Sequence, residues 1–236
     1  MKRNIMCNSP RTAATSGNAQ SEILPRPDAV ETESDRIRRR FNRMAAFYDV
    51  WEIFVAPLRR KVVRVAGLSS RAGVLDVGTG TGRQALAFAA AGCRVTGIDP
   101  AEKMIAAAKR NDPRGRVRFL IADGTDMPFD DDSFDAACVS LTLHELSPQM
   151  RPLALAEMIR VTRAGGRLIV VDVAYPPAAF CPPLLFALAR LFDRHYKAFV
   201  AAGPEMTLRE LGIEIDRTAE FWLGLGRIWV ATVCRI

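Results

Sequence analysis

Three glycines at alternate positions, Gly78, Gly80 and Gly82, separate a β-branched run, Val74-Leu75-Asp76-Val77, from an alanine-rich helical stretch, Arg83 to Ala91. A strand that turns into a helix through glycine brings backbone N–H groups at a helix N-terminus within reach of a ligand, because no Cβ stands in the way. Such a loop belongs to open α/β sheets, so it narrows the fold before anything else is read. It leaves two ligand readings. A dinucleotide fingerprint places glycine at the first, third and sixth positions, and the sixth here is Arg83, which obstructs close packing against a pyrophosphate. Alternate glycines preceded by an acid at the strand end, Asp76, suit a ligand without phosphates.

The rest of the chain supports an open sheet. After the Arg83–Ala91 helix, Arg94 to Ile98 reads as a second strand, Ala101 to Arg110 as a helix, Val117 to Ile121 as a third strand and Phe134 to Ser140 as a fourth. Gln149 to Arg163 is a helix, Gly165-Gly166 a turn and Arg167 to Val173 a fifth strand. Strands separated by helices predict a doubly wound α/β fold with a parallel sheet. Pro182-Pro183 starts a helix reaching about Ala202. Ile213 to Trp222 and Ile228 to Arg235 then form a hairpin that makes a seven-stranded, mostly parallel sheet with an antiparallel C-terminal strand.

Upstream of the sheet, residues 1–33 are polar, contain Pro10, Pro25 and Pro27, and carry no periodicity; they read as a disordered arm. Residues 34–236 form one domain, with 34–66 as a helical cover and 176–212 as a short substrate-side insert. In the cover, Ile37, Phe41, Met44, Tyr48, Trp51, Val55 and Leu58 recur at intervals of three and four, with a break expected near Pro57 and a basic outer face. The net charge of +7 is partly local to Arg36–Arg43 and is no nucleic-acid signature by itself. Five scattered cysteines without a C-x-x-C pair predict neither a zinc site nor a disulfide framework, and favour a reducing, cytoplasmic setting. No secretory signal is read at the N-terminus, and the apolar run Leu184 to Phe192 falls short of the roughly 20 residues of a membrane span.

Five blocks in order resemble the class I S-adenosylmethionine-dependent methyltransferases over residues 35–175. They are Val74 to Gly82; Gly97-Ile98-Asp99-Pro100; Met104 on the following helix; Ile121-Ala122-Asp123-Gly124 with Met127-Pro128-Phe129 and Asp132-Ser133-Phe134-Asp135; and Glu157 to Leu168. The resemblance implies a Rossmann-like fold and S-adenosyl-L-methionine as cofactor, with no metal. It implies cofactor contacts from Asp76, Gly78, Thr79, Gly80, Gly82, Asp99, Pro100, Met104, Asp123, Gly124, Ser140 and Leu141. Asp99 is placed for the ribose hydroxyls and Asp123 for the adenine amino group. Met104 either packs on adenine or belongs to the core, and Asp135 orders a turn. Tyr48, in Arg43-Met44-Ala45-Ala46-Phe47-Tyr48-Asp49, is similar to a tyrosine that covers the methionine end. Within the family, this segment resembles the ubiquinone/menaquinone-biosynthesis methyltransferases and the phospholipid N-methyltransferases, although the stretch from Pro176 to Ile213 is short for the former.

Methyl transfer demands little protein chemistry beyond alignment, so the motifs indicate cofactor better than acceptor. His144, in Leu143-His144-Glu145 after the fourth strand, is the candidate general base; its other reading is a loop-orienting or helix-capping side chain. His195 reads as surface or lid. The expected acceptor is a small or lipidic molecule, and Leu184-Leu185-Phe186-Ala187-Leu188 would suit contact with a membrane surface or closure of the site. Three other classes stay open: a non-catalytic S-adenosylmethionine-binding module, a nicotinamide-dependent oxidoreductase, opposed by Arg83, and a nucleic-acid methyltransferase. Against the last, no Asn-Pro-Pro-Tyr-like motif follows the fourth strand, and no nucleic-acid partner is expected.

Overall fold

The computed structural model describes residues 36, 38, 39, 48–174 and 196–234. The expected arm, most of the segment upstream of Tyr48, the apolar stretch 184–188 and His195 lie outside them. Helix α1 (Tyr48–Ala66) precedes β1 (Gly73–Val77), α2 (Arg83–Ala90), β2 (Arg94–Asp99), α3 (Glu102–Asn111), β3 (Val117–Ile121) and β4 (Phe134–Ser140). A 3₁₀ turn (Leu143–Glu145), α4 (Met150–Val161), β5 (Thr162–Val173), α5 (Tyr196–Glu210), β6 (Ile215–Phe221) and β7 (Gly226–Thr232) follow.

The seven strands form one sheet in the order β3-β2-β1-β4-β5-β7-β6. The first five are parallel, and β7 runs antiparallel to both β5 and β6. This is the doubly wound, mostly parallel sheet that the strand–helix alternation predicts. Both of its faces are buried. Val74, Ala136, Cys138, Ile169, Val171 and Val230 meet α1, α2 and α3 on one side through Val62, Phe88 and Ile105. Leu75, Val77, Ala137, Val139, Leu168 and Val170 meet α4 and α5 on the other, through Leu155, Met158, Phe199 and Leu208. Each such aliphatic side chain removed from water contributes roughly 1.5–3 kcal/mol, enough to fix register wherever the faces alternate.

Three boundaries depart from the periodicity. Helix α1 does not break at Pro57; Val55, Leu58, Val62 and Ala66 are all buried at helical spacing, and that continuous apolar stripe outweighs one missing amide. Strand β5 begins at Thr162 rather than Arg167, and the Gly165-Gly166 turn sits inside it as an irregularity: Phe134 pairs with Thr162 but Ala136 with Arg167. The tail helix runs to Glu210, past the expected end near Ala202, with Pro204 inside it. There the buried Phe199, Pro204 and Leu208 carry the apolar face onward.

Candidate active site

Parallel pairing brings the C-terminal ends of β1 to β5 to one edge, and the strand order reverses between β1 and β4. Open α/β sheets bind ligands at such a crevice. The loop after β1 turns there through left-handed dihedrals, φ +64° at Gly78 and +54° at Gly80. A Cβ on Gly78 would stand 2.6 Å from Thr142 Cγ2, so glycine is required where this loop meets the exit of β4. A Cβ on Gly80 would meet nothing within 4 Å, which leaves open space directly in front of the loop.

Two acids brace it. Asp76, 1% exposed, accepts from Thr79 Oγ1 at 2.6 Å, and burial pushes its carboxyl up to about 6. Asp99 takes the Gly80 N–H on Oδ2 at 2.9 Å and the Ala101 N–H on Oδ1 at 2.8 Å, spanning Pro100 as a turn; burial pushes it up to about 6 as well. The third expected acid, Asp123, is half-buried and accepts from both the Thr125 N–H and Thr125 Oγ1 through Oδ1. Its neighbour Gly124 lies against the end of β1, where an added Cβ would be 3.0 Å from Val77 Cγ1. Glu157 and Arg160 of α4 hold this segment from outside: Glu157 Oε2 accepts from the Met127 N–H, and Arg160 donates to the carbonyls of Met127 and Phe129 and to Asp131. The acid run at 130–132 is therefore tied in part to α4 rather than wholly solvated.

Ser140 ends β4 half-buried, and Leu141 follows with φ +54°, a left-handed conformation that costs a non-glycine residue about 1–2 kcal/mol. Its N–H donates to Val171 O at 2.7 Å. Thr142 Oγ1 then reaches Ser140 O at 3.1 Å and Gly78 O at 3.4 Å. Two residues on, His144 Nδ1 lies 2.6 Å from Asp172 Oδ1, and its backbone N–H donates to Asp172 Oδ2 at 3.2 Å. Asp172 has no exposed surface and also accepts the Val173 N–H at 2.7 Å. Glu145 Oε1 is 3.7 Å from His144 Nε2. Both ring nitrogens therefore lie near carboxylate oxygens, Nδ1 at hydrogen-bond distance and Nε2 farther off.

The expected residues do not all converge. Met104 is 1% exposed, so protein covers it on every side and it offers adenine no open face. Tyr48 opens α1, but its side chain is not among those described. Asp135 lies at the opposite edge of the sheet, accepting the Gly73 N–H and pairing with Arg163, whose hydrogen bond holds the carboxyl below its ordinary value.

Two functional candidates escape sequence reasoning. Asp172 sits inside an apolar strand, Val170-Val171-Asp172-Val173; a lone acid in such a run was the available signal, because only a partner justifies its burial. Arg59 belongs by periodicity to the basic face of α1. In the fold it is half-buried, and its positive charge offsets part of the rise that burial gives the Asp76 carboxyl.

The chain is similar to known proteins in sequence and in fold. The methyltransferase domain family matches residues 75–170. The demethylmenaquinone methyltransferase of Clavibacter sepedonicus is 32% identical, over 76% of this chain and 69% of its own length. That of Beutenbergia cavernae is 39% identical over 62% of this chain, which spans 60% of that protein. A SAM-dependent methyltransferase from Aquifex aeolicus shares the fold, with a TM-score of 0.57 and 23% identity over 74% of this chain and 89% of its own. With the glycine loop, the acids at the strand ends and a relative matched over most of its length, the chain belongs to the class I S-adenosylmethionine-dependent methyltransferases, in the ubiquinone/menaquinone-biosynthesis group.

Proposed function

We propose that this protein methylates a ring carbon of a lipidic quinol, with His144 as the base that activates the acceptor. S-adenosylmethionine, when bound, supplies an electrophilic methyl on its sulfonium sulfur and is released as neutral S-adenosylhomocysteine. The residues present fit that cofactor. The open space before Gly80 admits the cofactor, Asp99 supplies a carboxylate for the ribose hydroxyls, and Asp123 supplies one for the adenine amino group. Asp76 orients the loop through Thr79.

The observation that carries the reading is the linkage of His144 to the loop. Thr142 touches Gly78, and His144 follows on the same turn with Nδ1 engaged by Asp172. Nε2 takes the proton of a quinol hydroxyl and later releases it to solvent; the resulting oxyanion feeds electrons into the ring, whose carbon takes the methyl, and the ring C–H proton passes through water to the ring oxygen as aromaticity returns and the hydroxyl re-forms. The acceptor class rests on the relatives named for demethylmenaquinone and for ubiquinone/menaquinone biosynthesis C-methylation. No described helix is long and apolar enough to cross a membrane, so we place the encounter with a lipidic quinol at the membrane surface, approached by the exposed Arg36, Arg38 and Arg39.

Incubating the protein with methyl-labelled S-adenosylmethionine and reduced demethylmenaquinone tests this. Label should appear on a ring carbon of the quinol, in step with S-adenosylhomocysteine. Cofactor binding without label in any quinol would reject the acceptor class, and binding to anionic vesicles no stronger than to neutral ones would reject the surface encounter.

A further inference from the structure

We propose that Asp172 is the positioning residue of the methyl-transfer base: it fixes His144 as the Nδ1–H tautomer and keeps Nε2 basic. This inference rests on the base reading above and extends it to a residue to which nothing else assigns a role.

Three observations converge. First, the contact is double. One carboxylate holds both the ring and the main chain of His144, at 2.6 Å and 3.2 Å, so the side chain and the turn that carries it are set together. Second, Asp172 has no exposed surface and stands in an apolar strand packed on α4 and α5. A buried carboxylate is costly unless its lone pairs are used; two backbone N–H groups, His144 N and Val173 N, use them here, and His144 Nδ1 stands at 2.6 Å to be the third. Third, Val171, its neighbour on β5, accepts the Leu141 N–H and pairs with Ser140, so the strand that holds Asp172 also holds the exit of β4. The base, its orienting acid and the turn facing the glycine loop are thus joined through β5.

The charges around the imidazole favour this role. Among the described residues, Asp172 faces it from β5, Glu145 flanks Nε2 on its own turn, and Arg151 of α4 stacks on the Phe199 ring, which α5 places edge-on to His144. Arg151 donates to Leu143 O and stacks on Phe199, 4.9 Å from the ring centroid. Among the described residues, two carboxylates thus lie within 4 Å of the ring nitrogens, Asp172 Oδ1 at 2.6 Å and Glu145 Oε1 at 3.7 Å. They stabilise the imidazolium formed when Nε2 takes the acceptor's proton, which raises the basicity of Nε2 in the direction a general base needs.

The chain has two histidines, so a His195→Ala background leaves a single imidazole for nitrogen NMR on histidine-labelled protein. At high pH the neutral ring should show its hydrogen on Nδ1. Asp172→Asn should make His144 titrate at lower pH and move the acid limb of kcat/KM with reduced demethylmenaquinone the same way. Asp172→Ala and His144→Ala should each lower kcat by roughly 10²–10⁴-fold, and the double variant should fall no further, as groups acting as a unit do. A neutral ring with its hydrogen on Nε2 in the unsubstituted Asp172 protein overturns the proposal without any change at position 172. So does an Asp172→Asn protein whose histidine titrates as before while turnover falls, since that loss would be structural. If His144→Ala turns over normally, the base reading fails instead, whatever the tautomer.

Discussion

The Gly80 N–H donates to Asp99 Oδ2 at 2.9 Å, joining the loop after β1 to the end of β2. The acid that the family resemblance assigns to a ribose is thus also a strut of the glycine loop. A carboxylate oxygen has capacity for more than one donor, so the loop hydrogen bond and a ligand hydroxyl can share it. Because burial raises this carboxyl to about 6, a ligand that donates to its ionised form should bind more weakly as pH falls through that value.

Asp76 makes a related prediction for stability. Its folded-state value of about 6 exceeds the ordinary 3.8, so between these values the folded protein holds a proton that the unfolded chain has lost. Stability is then full below about 3.8 and declines as pH rises through about 6. Asp76→Asn removes the charge, so its stability relative to wild type should increase from about pH 4 to about pH 7.5, by up to about 3 kcal/mol for a rise from 3.8 to about 6. Urea melts at the two pH values measure it; a constant difference between the proteins would contradict the burial account.

Gln84, in the first turn of α2, is 2% exposed, and neither amide atom has a hydrogen-bond partner among the described residues. An unsatisfied buried polar group costs about 1–3 kcal/mol. Gln84→Leu should therefore raise the midpoint of thermal unfolding. If cofactor affinity falls in the same variant, the amide serves the ligand; if stability falls instead, the amide has a partner in the folded protein.

Glu205 of α5 accepts from the Trp229 indole N–H and pairs with Arg227 at 3.4 Å. Trp229 is 2% exposed, so Glu205→Ala leaves a buried donor unpaired beneath the helix that covers the His144 side of the sheet. A loss of about 1–3 kcal/mol is expected, with S-adenosylhomocysteine affinity near wild type because the glycine loop lies on the far side of β4. Calorimetric affinity falling along with stability would show that α5 and the cofactor site are coupled.

The sheet was legible because its strands are short, apolar and bounded by glycine or helix signals; β3 and β4 have the ends expected from sequence. Boundaries were misread at Pro57 and Pro204, where packing overrides a local breaker, and at the start of β5, where an irregularity keeps Thr162 paired with Phe134. The site was legible where glycine and acid recur at strand ends, and not where a function depends on a partner distant in sequence. His144 and Asp172 are 28 positions apart, joined only by the pairing of β4 with β5. Arg59 reads in sequence as one more basic residue on a helix face; that its charge bears on Asp76 depends on the packing of α1.

Calorimetric titration with S-adenosylhomocysteine, wild type against Asp99→Ala, tests most directly whether the edge built by Gly80 and Asp99 holds the cofactor. Losing a charged acceptor costs about 1.5–3 kcal/mol, or roughly 10- to 150-fold in affinity. The account predicts one binding site in the wild type and a loss of that size in the variant. Equal affinity in the two folded proteins would contradict it.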